Sequence, residues 1–154
     1  MIEQGSPEWQ ALRCGKATAS RVADIMRKTK TGPSAARQRY LGELVAERLT
    51  GQKANGYKNA DMDWGILTEA DARAAYAFFH SAVELIDFVD HPSIAMSGAS
   101  PDGFVGDDGL VEIKCPATHT HIETLISQSI DTDYGTQMQW QICLLYTSPS
   151  PRDA

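Results

Sequence analysis

Between Val83 and Cys115 the apolar residues change their spacing. On either side they recur every three to four positions, but VELIDFV (83–89) and LVEIKC (110–115) alternate apolar with charged or small residues. A period of two puts successive side chains on opposite faces of a strand, and a helix cannot use that pattern. Short strand signals at 94–97 and 103–105 lie between the two stretches, and Asp107-Asp108-Gly109 supplies a hairpin turn before the second. The expected fold is therefore α+β, with a central mixed sheet flanked by helices.

The flanking helices carry their own start and stop signals. Ser6-Pro7-Glu8-Trp9 predicts a helix to about Arg13, with Ser6 as cap and Pro7 in the first turn, stopping near Gly15. Thr18 caps a second, with Ala19, Val22, Ala23 and Met26 on its apolar stripe. Residues 27–33 read as a basic loop. Ser34 begins a third helix that ends at Gly51, with Tyr40, Leu41, Leu44, Val45 and Leu49 at helical spacing. After a polar loop (52–60) comes a helix over 62–79, whose expected inner face is Trp64, Leu67, Ala70, Ala74 and Phe78. Two more follow the strands, over 119–127 and 133–145. Residues 1–145 are read as one domain. Residues 146–154 (YTSPSPRDA) have two prolines and no periodicity, which predicts a disordered or non-native tail on a chain truncated at its C-terminus.

Charge is divided along the chain. Residues 1–60 carry a net +6 and residues 61–154 a net −12, within an overall −6. A basic half suits a polyanion and an acidic half suits cations. Three cysteines without Cys-x-x-Cys spacing argue against a zinc finger or a cysteine-held cluster. They favour a reduced, cytoplasmic setting. No apolar run is long enough to span a bilayer.

Chemistry concentrates in SPDGFVGDDGLVEIKCP (100–116). Asp102 and Glu112 are carboxylates on the two arms of a predicted hairpin, and Lys114 shares the face of Glu112. Two or three acids suffice for Mg²⁺, which prefers oxygen ligands and keeps several waters. A lysine beside them can orient or deprotonate an attacking water. The Ile113 side chain faces away, leaving its carbonyl as a further ligand. By itself Asp-x9-Glu-x-Lys also describes an exposed hairpin with charged faces, and both readings stay open on these residues alone.

Four blocks in order widen the view: WQALRCGKATAS (9–20), Trp64-Gly65 through Glu69-Ala70, SPDG (100–103) with EIKCP (112–116), and Gln137-Met-Gln139. Together they resemble the phage lambda exonuclease and YqaJ-type viral recombinase family of the PD-(D/E)xK nuclease superfamily. The resemblance implies a restriction-endonuclease-like fold and a 5′–3′ exonuclease acting on double-stranded DNA ends by a two-metal mechanism. Mg²⁺, with Mn²⁺ as an alternative, would be held by Glu69, Asp102, Glu112 and the Ile113 carbonyl. Lys114 and Gln137 complete the catalytic set, Gln139 being the weaker candidate. Arg13, Ser20 and Ser100 match positions that bind a 5′ phosphate. Lys16 and residues 27–30 are candidates for steering the DNA backbone. A ring of three subunits and a single-strand annealing recombinase as partner also follow from the resemblance. The family's arginine after the Lys-Cys-Pro block is absent, and Ala117-Thr-His119-Thr-His121 stands there. A restriction-type endonuclease and a non-cleaving DNA-end-binding module are the competing readings.

Overall fold

The structure is a computed structural model that describes residues 2, 4–54 and 60–146. In chain order it begins with α1 (Pro7–Arg13), β1 (Ala17–Thr18), a 3₁₀ turn (Ala19–Arg21), α2 (Val22–Met26), β2 (Lys28–Thr29), β3 (Gly32–Pro33) and α3 (Ala35–Thr50). Then come α4 (Ala60–Phe79), β4 (Val83–Glu84), β5 (Val89–Asp90), β6 (Ser97–Ala99), β7 (Gly103–Val105) and β8 (Gly109–Val111). The last helices are α5 (Thr118–Ser127) and α6 (Thr132–Tyr146). The chain divides into two compact units. The first holds Met1–Asn55, Asp87–Ser100 and Thr132–Ala154, and the second Gly56–Ile86 and Pro101–Asp131. The tail expected at 146–154 falls, from residue 147 onward, outside the described residues, as do residues 55–59 of the expected loop.

In the first unit the mixed sheet is a three-stranded ladder. β6 pairs parallel with β1 and antiparallel with β5. The core of the unit buries Ala19, Val22, Tyr40, Leu44, Ala99 and Leu144. The helix signals hold where capping decides: Ser6 Oγ accepts from Trp9 N at 3.2 Å, and Ser34 Oγ from Arg37 N at 3.2 Å. Gly51 closes α3 in the left-handed region. Thr18 makes no side-chain cap, and a 3₁₀ turn opens that segment instead. The stretch at 27–33 is a small hairpin rather than a loop, with Lys28 opposite Pro33 and Thr29 opposite Gly32. On α3 only Tyr40 and Leu44 of the expected stripe are buried, joined by Glu47, while Leu41, Val45 and Leu49 are exposed. The buried three fall at i, i+4 and i+7, the side of α3 that faces the core.

Glu47 binds the turn after α1 to α3. Its carboxylate accepts from Gly15 N at 2.7 Å and Ala54 N at 3.1 Å, and pairs with Lys53 Nζ at 2.8 Å. Arg48 Nε donates to Gly15 O at 2.8 Å. Gly15 has φ +70°, and a Cβ there would lie 2.7 Å from Arg48 Cγ, so both conformation and space require glycine.

The second unit holds α4, α5 and the antiparallel ladder β4-β7-β8. Gly103 lets β7 approach β4, since a Cβ would lie 2.3 Å from Val83 Cγ1. The expected single strand over 83–89 is two: β4 pairs with β7, and β5 joins the ladder of the first unit. On α4 the expected inner face is a correction. Trp64, Leu67, Ala70, Ala74 and Phe78 are all exposed, and the half-buried stripe is Gly65, Thr68, Glu69, Ala72, Arg73, Tyr76 and Ala77. Both stripes have helical period, so periodicity alone could not choose between them.

Burial alone would raise the Glu47 carboxyl, but Lys53 and the two backbone N–H groups outweigh it and hold its pKa below the usual range. A lowered folded-state pKa gives stability that is present above the unfolded value and lost as pH falls through the folded one. Glu47→Ala is expected to cost about 3 kcal/mol in urea unfolding at pH 7 by stranding its donors. The difference from wild type should shrink in acid below the ordinary carboxylate range.

Candidate active site

Asp102 is the centre of the second unit's polar cluster. Pro101 before it is fully buried and Gly103 after it permits the close ladder, so Asp102 lies 7% exposed at the start of β7. Its Oδ2 accepts from Ile113 N at 2.6 Å, which ties it to the segment leaving β8. Glu112 and Lys114 flank that residue. Alternation puts them on one side of the chain, where Lys114 Nζ donates to Glu112 Oε1 at 2.5 Å. The Glu112 side chain is 6% exposed. Glu69 reaches the cluster from the half-buried side of α4 and is paired with Arg73 at i+4. Gly65, one turn earlier, packs toward Cys115 O at 3.7 Å from a built Cβ.

Burial first, then the neighbouring charge of Glu112 and next that of Glu69, push the Asp102 carboxyl up to about 7. The Ile113 N–H and Lys114 pull the other way without prevailing. Three carboxylates, with Glu112 and Glu69 both repelling a buried Asp102, form an oxygen donor set of the kind that suits a hard divalent cation. Among the described residues no three His, Cys, Asp or Glu side chains converge closely enough to hold an ion as they stand. Glu69 and Glu112 are paired with Arg73 and Lys114.

The first unit gathers the expected phosphate residues. Arg13 closes α1, stacks 3.8 Å from the Trp9 ring centroid and directs Nη2 to Ser20 Oγ at 3.4 Å. Burial pulls its pKa down to about 10 against the opposing charges of Tyr40 and Glu47. The parallel register pairs Thr18 with Gly98, so Ser20 and Ser100 both lie two residues past a paired position at the same end of the ladder. Arg13 Nε and Ser100 Oγ are buried with no hydrogen-bond partner among the described residues. A buried donor without an acceptor is costly.

Gln137 is buried on α6, which packs on the 3₁₀ turn that carries Ser20. It thus belongs to the first unit, while Glu69, Asp102, Glu112, Ile113 and Lys114 belong to the second. Gln139 is exposed. Of the cations expected to steer DNA, Lys16 pairs with Asp90 and Arg27 with Asp133, while Lys28 and Lys30 are exposed. His119 and His121 are exposed on α5. Sequence reasoning missed Trp9, Glu47 and Arg73. The i,i+4 spacing from Glu69 would have signalled Arg73, whereas the partners of Glu47 are set by turns that no periodicity reports.

Asp102 gives a pH dependence of known sign. Its folded-state pKa is raised, so the folded protein holds a proton between pH ~4 and 7 that the unfolded chain has released. Stability contributed this way falls as pH rises through that window. In EDTA, the melting temperature of wild type is expected to drop from pH 5 to pH 8, and Asp102→Asn should flatten that drop. An equal slope in the variant would remove Asp102 as its source.

A family model, the YqaJ-like viral recombinase domain, matches residues 8–145. Among solved structures, an alkaline exonuclease, LHK-Exo from Laribacter hongkongensis, is 48% identical with a TM-score of 0.81, covering 90% of this chain and 68% of its own. The complex of LHK-Exo with dAMP matches with the same identity, coverage and score. A comparison with curated proteins returns no match. The matched span holds Arg13, Ser20, Glu69, Ser100, Asp102, Glu112, Lys114 and Gln137. The chain belongs to the YqaJ-like viral recombinase family.

Proposed function

We propose that this chain is a metal-dependent exodeoxyribonuclease that degrades one strand of double-stranded DNA from its 5′ end. The observation that carries the reading is the setting of Asp102. It is a buried carboxylate pushed toward neutrality by Glu112 and Glu69, with Lys114 beside it and Ile113 N–H on its oxygen. A structural hairpin has no need to bury mutually repelling acids, whereas a cation site does.

Glu69, Asp102, Glu112 and the Ile113 carbonyl are the groups that would hold Mg²⁺ or Mn²⁺, as two ions. Such ions, when bound, offset charge on the scissile phosphate and make water a better nucleophile. Lys114 keeps its ammonium beside Glu112, where it orients the attacking water and stabilises negative charge in the transition state. Gln137 takes the role of water positioning that the resemblance gives it. Arg13, Ser20 and Ser100 hold the terminal 5′ phosphate. The guanidinium fork and two hydroxyls are apt donors, and the orphaned Arg13 Nε and Ser100 Oγ leave donors for its oxygens.

No helix among the described residues is long and apolar enough to cross a membrane, and the proposed place of action is the cytoplasm of a bacterium or a phage-infected host. A homotrimer and an annealing recombinase as partner complete the reading. Exposed apolar side chains at Leu67, Phe78, Phe79, Leu125 and Ile126 favour assembly with further protein.

Linear and closed-circular duplex DNA, with Mg²⁺ or with EDTA, separate the alternatives. Linear DNA alone should be degraded, and only with metal. Cutting of the circle would mark an endonuclease, and binding of ends without degradation a non-cleaving module. Lys114→Ala should lower the rate 10²–10⁴-fold, the range for a group acting directly on the reacting atoms. Wild type should prefer a 5′-phosphate over a 5′-hydroxyl end. Arg13→Ala should reduce that preference about 10–100-fold, the worth of charged hydrogen bonds to a phosphate. Equal digestion of both ends by wild type would remove that role.

A further inference from the structure

We infer that Arg73 is a positioning residue for the metal site: it holds Glu69 by one oxygen and presents the other to the cation. This rests on the reading of Glu69 as a ligand carboxylate given above.

The observation comes from the unusual facing of α4. Its large apolar residues point outward, and Glu69 and Arg73 share the half-buried stripe with Gly65, Thr68, Ala72 and Tyr76. Arg73 donates from Nη2 to Glu69 Oε1. Only 21% of the Arg73 side chain is exposed, and its Nε is buried with no partner among the described residues. An ordinary i,i+4 pair on a helix surface stays in water and contributes little. This one is partly desolvated and leaves a donor unmet, which a surface pair gains nothing from. The arrangement makes sense if the location of the Glu69 charge matters.

That charge acts on Asp102. Glutamate has three rotatable bonds, and a free Glu69 at this exposure would sample water as well as the cluster. Arg73 removes that freedom by holding Oε1 from Nη2, and Oε2 has no partner among the described residues. Arg73 therefore acts as an outer partner that orients a ligand, a kind of residue whose loss typically lowers metal affinity 10–100-fold. A purely electrostatic role has the opposite sign. If Arg73 mattered only as a nearby cation, removing it would tighten binding of a divalent ion.

The test is calorimetric titration of Mn²⁺ into metal-free protein, without DNA. Arg73→Ala is expected to weaken Mn²⁺ binding 10–100-fold, and Arg73→Lys, which keeps a donor but not the fork, to recover part of it. In a Glu69→Gln background, Arg73→Ala should add almost nothing, because the carboxylate it positions is gone. Unchanged or tighter binding in Arg73→Ala, with Glu69→Gln still weakened, overturns the role of Arg73 and spares the metal site. Absence of Mn²⁺ binding by wild type overturns both. Arg73→Gln, which keeps much of the stem and a donor, carries the same comparison if circular dichroism shows the alanine variant unfolded.

Discussion

Burying a carboxylate among other carboxylates is the constraint on which the second unit is built. Asp102 lies between a fully buried proline and a glycine that cannot accept a side chain, so the backbone has no latitude to lift it into water. Among the described residues its carboxylate accepts one hydrogen bond, from Ile113 N. The ladder β4-β7-β8 exists to bring that N–H to Asp102, since the register of Gly103 with Val111 sets the chain leaving β8 beside the chain entering β7. Lys114 and Arg73 then balance two of the three negative charges. Cost accepted at Asp102 is thus spread through a hairpin, a helix and two cations.

The first unit solves a related problem with opposite charge. Arg13 is a mostly buried guanidinium, and burial pulls down its proton affinity. Trp9 supplies a face for it, Tyr40 and Glu47 supply favourable potential, and Ser20 supplies an acceptor. Glu47 also fixes the Gly15 turn that follows Arg13, so one buried acid both balances the guanidinium and sets the path of its backbone. Two donors are still left over at Arg13 and Ser100. A terminal phosphate is the acceptor proposed for them.

Much of the secondary structure is legible in the sequence because local chemistry decides it. Ser6-Pro7, Ser34 and Gly51 bound α1 and α3 through hydrogen bonds and φ values that need no distant partner. The Asp102, Glu112 and Lys114 grouping is legible for a similar reason, since a hairpin brings a fixed spacing together. Illegible features depend on tertiary pairing. VELIDFV reads as one strand, yet Val83–Glu84 and Val89–Asp90 find different ladders, and no property of the seven residues announces the break. The 27–33 stretch looks like a loop because two-residue strands have no period to detect. Glu47 is a polar residue at a core position, recognisable only once the Gly15 turn and Ala54 are seen to need an acceptor.

The facing of α4 shows why amphipathic reasoning fails where chemistry is concentrated. A helix normally turns its apolar stripe inward because that removes the most hydrocarbon from water. On α4 the stripe with Trp64, Leu67 and Phe78 stays out, and the stripe with Glu69 and Arg73 turns in. Within the second unit, that choice forgoes hydrophobic burial to place one carboxylate near Asp102. The two demands conflict only while the apolar stripe is bare. Protein that covered it would let α4 bury hydrocarbon on one side and hold charge on the other, so the same helix could serve an interface and a metal site without compromise.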